Sequence, residues 1–409
     1  MKSLGIKRRV SILGSTGSVG SSTLEVIRKN RDLFDVVSLS AGSSLDLMAS
    51  QILEFSPRFA SVADELMAEA LRLKLPEDIQ TVIFSGREGH RFCVENSRPD
   101  VLISAMAGSF GLEASFQAII QGVSILGIAN KEILVMAGDF IWDALNESKT
   151  TLVPVDSEHS AIFQSLMGNK ISQVKSLILT GSGGPFRARE LSTFSTITKE
   201  EALRHPNWVM GPKITIDSAT MMNKGLEFIE ALRLFRVHRE QVKVVIHPES
   251  VIHSMVEFCD GSVISQMGHS DMKIPISFAL SYPDRLPLEF DRPFDLTKIG
   301  RLHFEEPDLE KFRCLKLAMN IDFYGRSGSI VLNAANEAAV DLFLNEEIQF
   351  LEISERVEAA LETFRSRYPL TLSEVVQLDE EVKNWVYSSS TGSLGGRRNG
   401  VAREMILKV

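Results

Sequence analysis

The fold of this chain is decided by one stretch near its beginning, Val10-Ser11-Ile12-Leu13-Gly14-Ser15-Thr16-Gly17-Ser18-Val19-Gly20. An apolar run, typical of a buried strand, leads into glycines spaced G-x-x-G-x-x-G and then into a helical pattern over residues 19–28. Such glycines let the backbone turn tightly beside a pyrophosphate, and the helix N-terminus supplies free amides. The stretch predicts a dinucleotide-binding strand–loop–helix; a glycine-rich turn that binds no nucleotide is the alternative.

The first 150 residues continue this alternation of short apolar runs and longer amphipathic stretches. Strands buried on both faces and separated by helices indicate a parallel α/β sheet. We therefore predict a Rossmann-like NADP-binding domain over residues 1–155, with further strands at 36–39, 81–84, 101–104 and 124–128.

After residue 150 the pattern is that of an α+β domain, which we place at residues 156–290. Its predicted elements are strands at 174–179 and 243–246, a long helix at 222–235, and a hairpin of residues 251–258 and 262–267 that turns at Asp260-Gly261. A segment with little periodicity follows and predicts a linker at 291–312. Four helical patterns then predict a C-terminal helical bundle at 313–387, and a Ser-, Gly- and Arg-rich stretch predicts a flexible tail at 388–409.

Bulk composition excludes several classes of protein. A net charge of −9 over 409 residues leaves no basic excess for a nucleic-acid surface. The longest charge-free window, residues 114–130, is too short and polar to span a bilayer, so no membrane partner is expected. Cys93, Cys259 and Cys314 have neither metal-ligand nor disulfide spacing, which fits a reducing cytoplasm.

Two further segments bear on the nucleotide. The predicted second strand ends near Gly42-Ser43-Ser44, without the carboxylate that would hold the ribose hydroxyls of NAD, so NADP is mildly preferred. The serine hydroxyls can bind a phosphate or cap the next helix, and both interpretations stay open. Asn130-Lys131-Glu132 follows a later strand, where ligands sit in open sheets; a solvated helix start is the alternative.

Three carboxylates give the chain its chemistry. Asp156 and Glu158, at i and i+2 around Ser157, face the same way if the chain is extended there. Asn223 and Glu227, at i and i+4, share a helix face. Carboxylates with Ser, Asn and Lys between them suit a hard divalent cation and a small phosphorylated substrate. Helix capping and an exposed salt-bridged helix are the structural alternatives.

Two loops complete the candidate site. Thr180-Gly181-Ser182-Gly183-Gly184 follows a predicted strand and can present amides and a hydroxyl to a phosphate, or serve only as a connector. The stretch from His205 to Lys213, with Trp208, two prolines and Gly211, predicts a lid over a small substrate. A core tryptophan in a rigid loop is the alternative.

Together these motifs closely resemble the 1-deoxy-D-xylulose 5-phosphate reductoisomerase family. The resemblance covers nearly the whole chain, to about Trp385, and is carried in the family's order by Gly14-Ser-Thr-Gly-Ser-Val-Gly20, Ala129-Asn-Lys-Glu132, Val155-Asp-Ser-Glu-His-Ser160, Thr180-Gly-Ser-Gly-Gly-Pro-Phe186, His205-Pro-Asn-Trp208, Gly211-Pro-Lys-Ile-Thr-Ile-Asp-Ser218, Met222-Asn-Lys-Gly-Leu-Glu227 and His247-Pro-Glu-Ser250. It implies an NADPH domain, a central catalytic domain that also forms a homodimer, a linker and a helical bundle. It also implies rearrangement of a ketose phosphate and its reduction by NADPH to 2-C-methyl-D-erythritol 4-phosphate, an isoprenoid precursor.

The resemblance assigns roles by position. It implies that Asp156, Glu158 and Glu227 hold Mg²⁺ or Mn²⁺, and that the phosphate is bound by Ser182, Ser218, Asn223 and Lys224. Ser157 and Lys131 are expected to contact the substrate, and His205 and Trp208 to belong to the lid, with Lys131 and His205 also counted as catalytic. The residues expected around NADPH are Thr16, Gly17, Ser18, Val19, Gly42, Ser43, Ser44, Asn130, Glu132 and Gly211.

The chain departs from the family pattern at two places. Ser43-Ser44 stands where Lys or Arg followed by Asn is common, and Glu249 stands where Gln is frequent. Two rival functions remain at this stage. A plain NADP-dependent dehydrogenase of a phosphorylated aldehyde would leave the three carboxylates without a role, and a regulatory protein with a decayed active site would not need every metal and phosphate residue.

Overall fold

The computed structural model describes residues 7–205 and 210–389. Its larger sheet consists of β1 Arg8–Leu13, β2 Phe34–Ser40, β3 Phe59–Val62, β4 Val82–Ser85, β5 Val101–Ser104, β6 Ile125–Ile128 and β7 Thr151–Pro154. All its pairings are parallel, in the order β4-β3-β2-β1-β5-β6-β7. Strands β1 to β4 are added toward one edge of the sheet and β5 to β7 toward the other, so the strand order reverses between β1 and β5. Ligands bind at this point in open α/β sheets. The predicted parallel α/β fold is confirmed.

A smaller sheet lies in the middle of the chain and consists of β8 Val174–Gly181, β9 Val242–Ile246, β10 Ile252–Phe258 and β11 Val263–Met267. Its order is β11-β10-β8-β9, so β11 is an edge strand. The antiparallel pairing of β10 with β11 confirms the predicted hairpin. Its turn contains Gly261 at φ +87°, a conformation that glycine adopts without strain.

Helices surround both sheets. They are α1 Ser18–Lys29, α2 Leu45–Phe55, α3 Glu65–Arg72, α4 Gly86–Ser97, α5 Leu112–Ile120, α6 Lys131–Asn146, α7 Ser157–Leu166, α8 Lys199–Ala202, α9 Pro212–Ala219, α10 Met222–Phe235, α11 Lys273–Ser281, α12 Leu296–Ile299, α13 Arg313–Met319, α14 Gly328–Leu344, α15 Phe350–Thr363 and α16 Leu372–Ser389. Short 3₁₀ turns occur at Gly108–Gly111, Ile171–Gln173, Leu191–Thr196, Arg239–Gln241 and Ile321–Tyr324. Among the described residues, none of the helices combines the length and apolar character that crossing a bilayer requires.

The glycine-rich loop joins β1 to α1 as predicted. Gly14 has φ +82°, and a side chain there would place its Cβ 2.5 Å from the carbonyl oxygen of Ala105, beyond β5. A Cβ at Gly20 would lie 2.2 Å from the carbonyl oxygen of Gly14. Both positions therefore need glycine, because the loop lies directly against the helix and the neighbouring strand.

Several elements were not anticipated, among them two strands and one buried helix. The strand β3 is only four residues of Phe-Ala-Ser-Val, and β7 ends in Pro154, which is tolerated at the edge of a sheet. The helix α11 is buried along nearly its whole length and has no amphipathic stripe. Its apolar residues pack into the core of the larger sheet, against α1 and β6. The predicted boundaries instead include this helix in the α+β domain of residues 156–290.

The C-terminal helices α13 to α16 occur where the sequence predicts them, and α14 packs against both α15 and α16. It also contacts α6 and α9, so the bundle shares one apolar core with the middle of the chain. The helix α16 continues through Ser389, two residues into the predicted tail, and residues 390–409 lie outside the described residues. The domain boundaries themselves stay predictions.

Candidate active site

One cavity of about 510 Å³ collects most of the predicted site residues. It opens between the loop after β1, the ends of β6, β7 and β8, and the helices α9 and α10. The predicted residues that line it are Ser18, Val19, Lys131, Asp156, Ser157, Glu158, Ser182, His205, Gly211, Ser218, Asn223, Lys224 and Glu227. Residues that are more than 200 positions apart in sequence therefore face one space.

The three carboxylates converge as the metal-site hypothesis requires. One oxygen from each of Asp156, Glu158 and Glu227 lies within 4.8 Å of the other two. The i,i+4 reasoning for Asn223 and Glu227 is confirmed, since both lie on α10. The extended-chain reasoning for Asp156 and Glu158 is wrong. Asp156 is instead the N-cap of α7, where it accepts a 3.4 Å bond from the backbone N–H of Glu158.

Two buried lysines neutralise this acidic group. The Nζ of Lys131 lies 2.6 Å from Asp156 Oδ2 and 3.2 Å from Glu227 Oε1, and it donates to Asn223 Oδ1 over 2.8 Å. The Nζ of Lys224 lies 3.1 Å from Glu158 Oε1 and makes a short contact with Glu227 Oε2. Two ammonium charges therefore stand among three carboxylates.

Burial and charge perturb the pKa values of these groups in opposite directions. Burial and the nearby Glu227 raise the pKa of Glu158 to about 7. Burial also works against ionisation of Asp156, but Lys131 and His159 hold the pKa of that carboxyl well below its ordinary value. The pKa values of Lys131 and Lys224 are raised despite burial, because carboxylates surround both ammonium groups. Strongly shifted groups in a cavity are typical of a catalytic site.

His159, for which the sequence gave no role, lies fully buried behind the carboxylates. Its Nε2 donates to the backbone carbonyl of Glu227 over 2.9 Å, and its Nδ1 lies 3.3 Å from Glu230 Oε2 and 3.7 Å from Asp156 Oδ1. Because carboxylates face Nδ1, the pKa of His159 is raised to about 9 in spite of burial. The ring thus contacts both carboxylate-bearing segments, the start of α7 and the middle of α10.

The opposite wall of the cavity is polar and uncharged. The Gly-Ser loop after β8 approaches α9 closely, since a Cβ at Gly184 would lie 2.5 Å from the carbonyl oxygen of Ser218. Ser182 Oγ accepts from the backbone N–H of Gly184 over 3.2 Å and lies 3.4 Å from His205 Nε2. Burial lowers the pKa of His205. The predicted lid residue Trp208 lies outside the described residues.

Seven of the predicted cofactor residues do not line this cavity: Thr16, Gly17, Gly42, Ser43, Ser44, Asn130 and Glu132. They follow β1, β2 and β6 at the carboxyl edge of the larger sheet. Gly17 caps α1 without a side chain, and the first turn of that helix has no acidic residue, so the amides fit a pyrophosphate. Ser44 is the N-cap of α2 but its side chain makes no capping bond. Asn130 donates to the carbonyl oxygens of Met106 and Gly108.

Several lining residues were missed by the sequence reasoning, among them Ser22, Met210, Ile214, Met221, Ser250, His253, Ser270, Asp271 and Met272. Most are loop or apolar residues without a local signal. His253 is one of the few titratable ones, and burial lowers its pKa. His247, which the sequence reasoning left out, lies behind the cavity, with Nδ1 donating to the carbonyl oxygen of His303 over 2.9 Å.

The donor set suits the groups that the sequence implies. Carboxylate oxygens at this spacing are the ligands that Mg²⁺ and Mn²⁺ prefer. Hydroxyl, amide and ammonium groups next to them suit a phosphorylated, polyhydroxylated molecule. The strand–glycine loop–helix enters the same cavity through Ser18 and Val19, so a dinucleotide bound there would reach the carboxylates.

Known proteins match nearly the whole chain in sequence and in fold. Three family models match: 1-deoxy-D-xylulose 5-phosphate reductoisomerase over residues 10–138, the C-terminal domain of that enzyme over 152–235, and DXP reductoisomerase C-terminal domain over 267–385. A 1-deoxy-D-xylulose 5-phosphate reductoisomerase from Caldanaerobacter subterraneus subsp. tengcongensis is 47% identical over 376 residues, which are 92% of this chain and 97% of the relative.

Solved structures agree with the sequence matches. The reductoisomerase from Zymomonas mobilis in complex with NADPH superposes with a TM-score of 0.88 at 39% identity, covering 95% of this chain and 100% of that one. A DOX-P reductoisomerase in complex with NADPH, fosmidomycin and magnesium gives a TM-score of 0.89 at 37% identity, with the same coverage.

Proposed function

The chain belongs to the 1-deoxy-D-xylulose 5-phosphate reductoisomerase family, and from this premise we propose that it rearranges 1-deoxy-D-xylulose 5-phosphate and reduces the product with NADPH. The product is 2-C-methyl-D-erythritol 4-phosphate, an isoprenoid precursor, and the reaction uses Mg²⁺ or Mn²⁺. The convergence of Asp156, Glu158 and Glu227 in a cavity that the glycine-rich loop also enters is the observation that carries this proposal. A plain dehydrogenase would leave that acidic group unused.

The carboxylates are the proposed metal ligands. A dication held there polarises the substrate's hydroxyl and carbonyl oxygens and stabilises the charge that develops as the carbon–carbon bond moves. Lys131 lies between Asp156 and Asn223, where a substrate oxygen can replace one of the present hydrogen-bond partners of its ammonium group. Ser157, whose hydroxyl bonds Glu158, points into the same space and is proposed to contact the substrate.

The polar wall is the proposed phosphate site. Ser182, Ser218 and Asn223 offer hydroxyl and amide donors, and Lys224 adds a positive charge. NADPH delivers a hydride to the rearranged aldehyde, and we place the pyrophosphate of NADPH on the N-terminal amides of α1. His205, next to Ser182, begins the segment that we propose to close over the substrate and exclude water.

We also propose that the protein is a cytoplasmic homodimer. The edge strand β11 pairs with β10 along one side only. Two of its apolar residues are exposed to solvent, Val263 by 52% and Ile264 by 42%. An exposed apolar edge strand is a ready site for pairing with a second copy. Light scattering should give twice the chain mass, and Ile264→Lys should lower it if this edge forms the interface.

One spectrophotometric assay tests the function. NADPH absorbance should fall when the purified protein receives 1-deoxy-D-xylulose 5-phosphate and Mg²⁺ or Mn²⁺, and the rate should drop to background when a chelator removes the cation. Turnover that persists in chelator would favour the plain dehydrogenase. Protein that binds NADPH but never consumes it under any of these conditions would overturn the proposed function.

A further inference from the structure

Lys224 occupies a position between the acidic group and the phosphate wall. Its ammonium group contacts Glu158 and Glu227, while its side chain lies across the backbone of Gly181 in the Gly-Ser loop. A Cβ on Gly181 would lie 2.8 Å from Lys224 Cε and 3.6 Å from Nζ. Glycine at this position therefore leaves room for the side chain of Lys224, which extends from α10, to pass the Gly-Ser loop and reach the carboxylates.

A dication and Lys224 compete for the same oxygen atoms. Glu227 Oε2 contacts Lys224, and its Oε1 accepts from both Asn223 and Lys131. A cation bound about 2.1 Å from these oxygens would be within a few ångströms of Nζ, where like charges in a buried site repel strongly. Displacement of Lys224 alone offsets one of the two positive charges that a dication brings, and the remaining charge is balanced by the third carboxylate.

The two lysines differ in where they can go. Lys131 is enclosed by three groups that its ammonium contacts, the carboxylates of Asp156 and Glu227 and the amide oxygen of Asn223. Lys224 already lies against the Gly-Ser loop, so a change of its terminal torsions moves the ammonium toward the phosphate wall. Of the two lysines, Lys224 is the one whose ammonium contacts the carboxylates while its side chain lies against the Gly-Ser loop.

We propose that Lys224 is an exchangeable counter-ion, held by Glu158 and Glu227 until a phosphate or a dication displaces it, and that this exchange couples the two binding events. The inference rests on the proposed function, because it takes the carboxylates as metal ligands and the Gly-Ser side as the phosphate site. A phosphate that draws Lys224 away leaves the carboxylates more negative, and the dication binds more tightly. By linkage, the dication strengthens phosphate binding by the same factor.

Mn²⁺ binding to the purified protein, followed by the electron paramagnetic resonance signal of free Mn²⁺, tests this directly. Inorganic phosphate is the probe, raised until its effect levels off, with protein-free samples to correct for Mn²⁺–phosphate complexes. In the unmodified protein we expect phosphate to tighten Mn²⁺ binding roughly tenfold, within the usual range of coupling between sites. Lys224→Met should bind Mn²⁺ more tightly without phosphate and respond to phosphate less than about twofold.

Two further variants separate displacement from simple charge removal. Gly181→Ala keeps the charge, but its Cβ collides with Lys224 Cε in the conformation that reaches the carboxylates, so it should bind Mn²⁺ more tightly than the unmodified protein. The matched control Gly268→Ala, where a Cβ has no contact closer than 3.4 Å, should not. Lys131→Met removes the other ammonium, and it should bind Mn²⁺ more tightly while keeping the phosphate effect.

The proposal is overturned if phosphate tightens Mn²⁺ binding in Lys224→Met as much as in the unmodified protein. It is equally overturned if neither Lys224→Met nor Gly181→Ala binds Mn²⁺ more tightly in the absence of phosphate. These binding data stand apart from the proposed function, which the NADPH assay with unmodified protein decides. Turnover with 1-deoxy-D-xylulose 5-phosphate in a protein whose Mn²⁺ affinity ignores phosphate would reject the coupling and retain the function.

Discussion

The Nζ of Lys213 lies 2.9 Å from Oε1 of Glu132, which ties the start of α9 to the start of α6. The same ammonium group lies 2.9 Å from Asp217, whose other oxygen accepts from Asn336 of α14 over 2.7 Å. The helix that begins with Lys131, the helix that carries Ser218 and the C-terminal bundle are therefore joined through one lysine. Lys131 and Ser218 both line the cavity, so the relative placement of α6 and α9 bears on the chemistry.

Replacing Lys213 by Met should disturb both stability and catalysis. Loss of the ammonium leaves Glu132 and Asp217 facing each other without a counter-charge, and since Lys213 is about one-third exposed we expect a cost of about 2 kcal/mol. Displaced walls should also lower turnover on the order of tenfold or more. Urea unfolding and the NADPH assay measure the two effects.

The matched control is Lys243→Met, which removes a lysine from a half-exposed pair with Glu257. Solvent screens a pair of that kind, so its loss should change the free energy of unfolding little. If the two variants lose the same small amount of stability and keep full turnover, the tie through Lys213 has no structural importance.

Glu227→Gln should abolish turnover while NADPH binding survives. The substitution keeps the shape of the side chain but removes one charged ligand from a carboxylate that is almost completely buried. Several kcal/mol of transition-state stabilisation depend on a well-held cation, so the rate should fall on the order of a thousandfold. NADPH fluorescence titration checks that the cofactor site is intact. Turnover close to that of the unmodified protein would reject Glu227 as a metal ligand.

Sequence patterns predicted the features that depend on interactions between residues close together in the chain. The glycine-rich turn and the i,i+4 placement of Asn223 and Glu227 depend only on nearby residues, and both are confirmed. Asp156 and Glu158 were placed side by side for the wrong reason, because the chain enters a helix at Asp156 and does not continue as a strand. Their convergence with Glu227 is produced by tertiary packing.

Contacts between distant segments could not be read from the sequence. The contact of Lys224 with Gly181 joins α10 to the end of β8, and the pair of Lys213 with Glu132 joins α9 to α6. Each of these lysines looks locally like a solvated residue at a helix start. Only the assembled fold brings them against carboxylates. The lining residue Asp271 likewise has no local signal in the sequence.

Ser43→Arg should strengthen the preference for NADPH over NADH. Ser43 is exposed just before α2, and an arginine there could pair with the 2′-phosphate of NADPH. One charge-assisted hydrogen bond would contribute about 1.5 kcal/mol to the binding free energy of NADPH. The ratio of kcat/KM values for the two cofactors should rise about tenfold. Ser50→Arg, which adds the same charge to an exposed position further along α2, is the control. Equal ratios in both variants would place the 2′-phosphate elsewhere.

Glu249→Gln should leave catalysis intact and loosen the linker. Glu249 accepts from the backbone N–H of His303 over 3.1 Å and pairs with its ring, and despite burial these bonds lower the pKa of Glu249 to about 2. Beside this pair, Glu305 and Ile246 exchange two backbone hydrogen bonds of 2.9 Å. We expect turnover within about twofold of the unmodified protein, because Glu249 contacts none of the proposed metal ligands among the described residues.

Hydrogen exchange reports the structural part of this prediction. The Glu305 amide should exchange several-fold faster in Glu249→Gln, since the lost pair is partly exposed and worth less than about 1 kcal/mol. Glu310→Gln, which breaks an exposed pair with Lys316, serves as the control and should leave that amide unchanged. A loss of turnover above tenfold in Glu249→Gln would mean that this carboxylate takes part in the reaction.

The buried His90 should make stability fall in mild acid. Ser61 donates to Ser40 over 2.7 Å, so its oxygen accepts from His90 Nδ1 over 2.8 Å. Burial, together with the positive charge of Arg87, lowers the pKa of His90 from 6.5 to about 4. Between those values the unfolded chain binds the extra proton, so this contribution is complete above about pH 6.5 and is lost as the pH falls toward 4. From pH 7 to pH 5 it amounts to about 2 kcal/mol. Urea unfolding at both pH values should show a smaller loss of unfolding free energy for His90→Gln. The glutamine keeps a polar partner for Ser61 but cannot take up that proton. An equal loss in both proteins would mean that His90 is already protonated in the folded state.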